Sequence, residues 1–254
     1  MKVALLYLLG ITAAEILLYF VEPLLGALCH VIVLVALIVQ SLWFTRGLSR
    51  RFLFTLALVP LYKLMGVFVS EVAFASDADS DLVFFAVVNP LLLTAAVVMV
   101  RIMRLEARQV GIAFGKPLPQ LLIGLTGIAF GWALYYMIEP EPLIAELEWG
   151  KFIVSAFVIL LGAGAEELTF RGILQRTSTK ALGYWGLLYV SLLFAFIHFG
   201  RVSGMNLSVA SIPFILAVAL FFSWIVKKTD TLFGVILCHF ITNVILFLVA
   251  PLVF

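Results

Sequence analysis

The chain is built from long apolar runs separated only by short polar breaks. A membrane-spanning helix needs roughly 20 mostly apolar residues. Nine segments meet that description: 3–21, 24–43, 52–70, 82–100, 118–138, 152–180, 184–204, 207–226 and 231–250. Between them there is no room for a soluble domain, so the expected fold is an all-α, polytopic transmembrane helical bundle of about eight to nine spans. Composition agrees, with 65% hydrophobic and 12% charged residues, against about 45–50% and 25% in soluble domains. The bilayer is therefore an expected partner, and a net charge of +2 gives no reason to expect nucleic acid. Cys29 and Cys238 both lie inside apolar runs and read as small core residues rather than as a disulfide or a metal cluster. The first span follows Met1-Lys2 and no small-residue cleavage site comes after it, so it reads as a retained span rather than a signal peptide.

Charge in the connections alternates. One set of loops carries Lys2, Arg46, Arg50, Arg51, Arg101, Arg104, Arg108, Lys116, Arg176, Lys180, Lys227 and Lys228. The other set carries Glu22, Glu71, Asp77, Asp79, Asp81, Glu139, Glu141, Glu146 and Glu148, with only Lys151 and Arg201 as bases. The Lys/Arg-rich side is expected to be cytoplasmic, which puts the N-terminus inside.

Five charges fall within spans: Glu15, Lys63, Glu166, Glu167 and Arg171. Each costs at least ~2.5 kcal/mol near a bilayer centre on insertion scales. Lys63, beside Tyr62 and Pro60, reads as a structural partner for Glu15 or as a snorkelling side chain. The cluster at 166–171 is different. Adjacent acids on a helix point about 100° apart and cannot share one role. Arg171 lies four residues after Glu167, on the same face and in the favourable order, so those two are expected to pair. Glu166 is left over and free for acid–base chemistry. Gly162 and Gly164, just before it, keep bulk low so that water or a backbone can approach.

The histidines are His30, His198 and His239. His30 has no partner in its neighbourhood and reads as a satisfied or interfacial residue. His239 and Asn243 are four apart and project from one face of the ninth span. Depth supplies a test. Glu166 and His198 lie sixteen residues either side of Leu182, roughly 24 Å from the turn at 1.5 Å per residue. His239 is only nine residues from Asp230, about 13 Å from its turn. A meeting of these groups requires a tilted or broken sixth or seventh span, or a deeper turn before the ninth.

At these residues the chain resembles the CPBP family of membrane proteases, which includes the Ras-converting CAAX endopeptidases and the bacterial Abi proteins. The family motifs EExxxR, FxxxH and HxxxN/D stand here as Glu166-Glu167…Arg171, Phe194…His198 and His239…Asn243, in the family's order. The resemblance divides the chain into N-terminal spans, 1–148 (about five), and a catalytic core, 149–254 (about four). It implies a glutamic-type intramembrane endopeptidase. Glu166 would polarise a water and His198 would position it or share its proton. His239 and Asn243 would stabilise the oxyanion, and Glu167 with Arg171 would orient Glu166. The implied substrate is a membrane-embedded or membrane-anchored protein, such as one with a lipidated or sorting tail. The implied location is a prokaryotic plasma membrane. No cofactor is required on this reading.

Alternatives use the same residues. Glu166, His198 and His239 would make a His₂Glu zinc site with an open position, although the HExxH helix of zincins is absent. Intramembrane acids, bases and histidines also mark ion-coupled transporters, but no repeat of the pattern occurs in the first half. An immunity-type membrane protein is a further non-enzymatic reading. No span carries an Asp, so an aspartyl dyad has no material, and no GxSG nucleophile motif occurs.

Overall fold

In the computed structural model the chain is a helical bundle. Residues 1–74, 80–140, 142–144, 146–198, 200–202, 205–207 and 211–253 are described, with side chains described outside 71–81 and 200–210. The expected placement of Asp77, Asp79 and Glu141, and of the side chains of Glu71, Asp81 and Arg201, lies outside the described residues. The helices are α1 (Lys2–Phe20), α2 (Pro23–Val39), α3 (Gly47–Leu56), α4 (Leu58–Phe74), α5 (Ser80–Ile102), α6 (Pro117–Ile138), α7 (Trp149–Glu167), α8 (Gln175–Leu182), α9 (Trp185–Phe196), α10 (Ile212–Thr229), α11 (Phe233–Val244) and α12 (Ala250–Val253). A short antiparallel pair of three-residue strands, β1 (Gly200–Val202) and β2 (Met205–Leu207), falls between α9 and α10.

Eight helical segments among the described residues are long and apolar enough to span, which fits a multi-pass integral membrane protein. The seventh expected span, 184–204, differs. Its helix α9 has 12 residues and reaches only about 18 Å. Apolar residues continue past its end, but the chain turns into the strand pair instead. The third span is interrupted at Ala57, between α3 and α4. Pro60 causes the break, because it cannot donate to the carbonyl of Leu56 and its ring crowds that oxygen.

Helix starts and stops follow local chemistry. Glu22 caps α2 by accepting from Leu25 N–H at 2.8 Å, with Pro23 in the first turn. Left-handed Glu139 and Asp230 end α6 and α10. Lipid gives helices no hydrophobic reason to associate, so small residues and interhelical hydrogen bonds carry the packing. Gly124, Gly127 and Gly131 of α6 lie against α11, and at Gly127 the approach is to the carbonyl of Cys238. That contact leaves no space for a Cβ and presses α11 closely onto α6. Ser191 and Ser223 share a 3.0 Å hydrogen bond between α9 and α10, and Gln175 donates to Ser223 O at 2.9 Å. Cys29 and Cys238 are both free thiols.

The basic connections gather at one end. Arg176 donates to Asp230 Oδ1 at 2.8 Å, Leu232 N–H to Gly111 O at 2.9 Å, and the hydroxyls of Thr55 and Thr177 are 2.8 Å apart. The first two contacts bring the segments bearing Arg108, Arg176, Lys227 and Asp230 together, and the third ties α3 to α8. They also resolve the depth mismatch. Asp230 sits level with Arg176, not with Leu182. Glu166 is ten residues from Arg176 and His239 nine from Asp230, so both lie about 14 Å from that level.

Candidate active site

Glu166 and Glu167 close α7, where the chain passes into a π-helical turn, Leu168–Leu174. Such turns concentrate at functional sites. Arg171, within the turn, donates to Glu167 Oε1 at 3.1 Å, and both side chains are fully buried. This is the expected pair. The guanidinium also lies 4.2 Å from the Phe194 ring centroid and 5.4 Å from that of Phe222, so it is stacked as well as paired.

The same Glu167 Oε1 accepts from His239 Nδ1 at 2.9 Å. Glu167 therefore orients the histidine of α11 directly, whereas the sequence pattern assigned its influence to Glu166. Because Nδ1–H is committed to Glu167, Nε2 is the atom left facing inward. It lies 3.9 Å from Glu166 Oε2, too far for a direct hydrogen bond but near enough for one molecule beside the pair to touch both atoms.

His198 follows the end of α9. Its Nδ1 lies 2.6 Å from Phe194 O. A carbonyl only accepts, so Nδ1 carries the proton, and the neutral ring keeps an acceptor at Nε2. Phe194 is thus more than a spacer in its motif, since its carbonyl fixes His198 and its ring packs on both histidines and Arg171.

Glu166, His198, His239 and Asn243 all line one cavity of about 130 Å³, with apolar walls from Phe194, Phe214 and Phe247 among others. Four sequence-selected residues from α7, the end of α9 and α11 thus share one enclosure. Asn243 lines it one turn along α11 from His239, as their spacing predicts. The space beside Gly162 is not open, because the Asn89 side chain of α5 fills it while donating to Val158 O at 3.1 Å. Gly164 does face open space.

Two cavity residues come from α4 and carry no motif. Tyr62 O–H donates to Glu166 Oε1 at 3.2 Å. Lys63 Nζ donates to Ile197 O at 2.5 Å and pairs with Glu15 Oε2 at 2.9 Å. Glu15 Oε1 in turn lies 3.3 Å from His30 Nε2, with both residues fully buried. Lys63 is thus the structural partner of Glu15, and His30 is a core residue rather than an interfacial one. The nearest sequence signal to Tyr62 was its place beside an intramembrane lysine.

Among the described residues, no three His, Cys, Asp or Glu side chains are disposed to hold a metal ion.

Residues 148–245 match the model of the Rce1-like family, type II CAAX prenyl endopeptidase. The chain carries an Rce1-like domain. It includes all three motifs and every residue of the expected site, and it indicates a peptidase of the CAAX-type membrane class. Tyr62, Lys63, Glu15 and His30 lie outside the Rce1-like domain, although two of them line its cavity. No curated protein and no solved structure matches the chain.

Proposed function

We propose that the protein is a glutamic-type intramembrane endopeptidase that cuts a peptide bond in a membrane-associated protein. The observation that carries this is the 3.9 Å gap between Glu166 Oε2 and His239 Nε2, set inside a cavity that His198 and Asn243 also line. Peptide hydrolysis needs a base for water and donors where negative charge develops. Glu166 takes a proton from a water bound beside this pair, and the resulting hydroxide attacks the carbonyl carbon. The Asn243 amide N–H and, with the imidazole doubly protonated, the His239 Nε2–H donate to the developing oxyanion. The Nε2 of His198 holds or relays the proton that must reach the leaving amine. Glu167 and Arg171 hold His239, and no metal ion takes part. Apolar walls suit a substrate delivered within the membrane, such as a lipidated or sorting tail.

Membrane proteomics of cells carrying wild-type protein or Glu166→Gln tests this. An uncut precursor is expected to accumulate with the variant, and purified wild-type protein should cleave it. Removing the general base is expected to lower the rate by about 10²–10⁴-fold. Undiminished cleavage by Glu166→Gln would overturn the site. Activity abolished by a strong chelator and restored by zinc would overturn the metal-free mechanism.

A further inference from the structure

We infer that the N-terminal helices complete the active site, with Tyr62 a positioning residue for Glu166 and Lys63 a positioning residue for His198. The inference deepens the proteolytic reading above and rests on it. Glu166 has two carboxylate oxygens, and only one can be the base toward a given water. Tyr62 O–H binds Oε1 at 3.2 Å, while Oε2 is buried without a hydrogen-bond partner and faces His239. The phenol therefore selects the oxygen. It fixes the carboxylate's rotation, so that the unoccupied oxygen is the one turned toward the gap.

Lys63 acts on the other side of the cavity. Helix α9 ends at Phe196, and carbonyls at a helix end lack intrahelical donors. Ile197 O is such a carbonyl, and it takes the Lys63 ammonium. The next residue is His198, held by Phe194 O from within its own turn. The short segment bearing His198 is thus pinned from two directions. Lys63 is in turn pinned by Glu15 of α1, which His30 of α2 flanks. Three N-terminal helices therefore reach the active site through two adjacent residues of α4.

The test uses the full-length protein in liposomes, with quenched fluorescent peptides tethered to the bilayer by a farnesyl group. Glu166→Gln is the control for the underlying reading. Tyr62→Phe is expected to lower kcat about 10–100-fold with KM within about 2-fold of wild type, and to leave the melting temperature unchanged. Lys63→Met leaves Glu15 buried without its cation, so Glu15→Gln/Lys63→Met is made beside it to remove both charges. The double variant is expected to fold and still lose kcat about 10-fold or more at unchanged KM. Loss of cleavage in Glu166→Gln together with wild-type kcat in Tyr62→Phe and in the folded double variant would overturn this inference alone. Cleavage by Glu166→Gln at the wild-type rate would instead overturn the proteolytic reading beneath it.

Discussion

Glu167 Oε1 accepts from two donors at once, Arg171 four residues along and His239 of α11. The carboxylate is completely buried, so it depends on both. Removing one partner of a buried ion pair costs about 3–5 kcal/mol, whereas removing both charges is often close to neutral. Arg171→Met is expected to lower thermal stability sharply, and Glu167→Gln/Arg171→Met to recover much of it, as followed by melting in detergent. His198 allows a cleaner separation of folding from chemistry. Asn at this position keeps a donor near Phe194 O but has no counterpart of Nε2. His198→Asn is expected to melt like wild type and to lose about 10²-fold or more in peptide cleavage. The Glu167–Arg171 pair was legible in the sequence because its contact is local, four residues on a helix. Tyr62 on Glu166 spans 104 positions and Lys63 on Ile197 spans 134. No periodicity reports a contact between segments that far apart, so those two residues emerge only from the fold.

Helix α11 owes its place to a flat face on α6. At Gly127 an added side chain would meet the backbone carbonyl of Cys238, which has no flexible end to swing aside. His239 is the next residue along α11. Gly127→Val is expected to cost about 1–3 kcal/mol and to lower cleavage about 10²-fold by moving His239 and Asn243 together. Gly164→Ala is the contrasting case, because nothing lies within 4 Å of the added methyl. It is expected to leave stability unchanged or raise it by about 0.5–1 kcal/mol of helix preference, read as an equal or slightly higher melting temperature. Most helix positions were legible from apolar run length alone. The length of α9 was not, because Ile197, Phe199 and Val202 extend the apolar run beyond Phe196 while the helix itself stops there. The π-helical turn after Glu167 was equally silent, since it inserts into a helix without changing its hydrophobic pattern.

Across the whole molecule, the loops rich in Lys and Arg converge at one end, and the site lies about 14 Å from the level of Arg176 and Asp230. The cytoplasm is expected at that end. In a Cys29→Ser/Cys238→Ala background, Lys116→Cys is expected to react with a membrane-impermeant maleimide only after permeabilisation. Lys151→Cys is expected to react in intact cells. The opposite pattern would invert the orientation.

The buried pair of Glu15 and Lys63 also bears on how the chain is made. Glu15 enters the bilayer with the first span, but its counter-ion arrives only with the third. Until then, α1 carries an acid that the hydrocarbon penalises by a few kcal/mol. Biogenesis of this half of the protein is therefore not a series of independent insertions. The first helix is expected to settle at its final depth only once Lys63 has arrived to pair with Glu15.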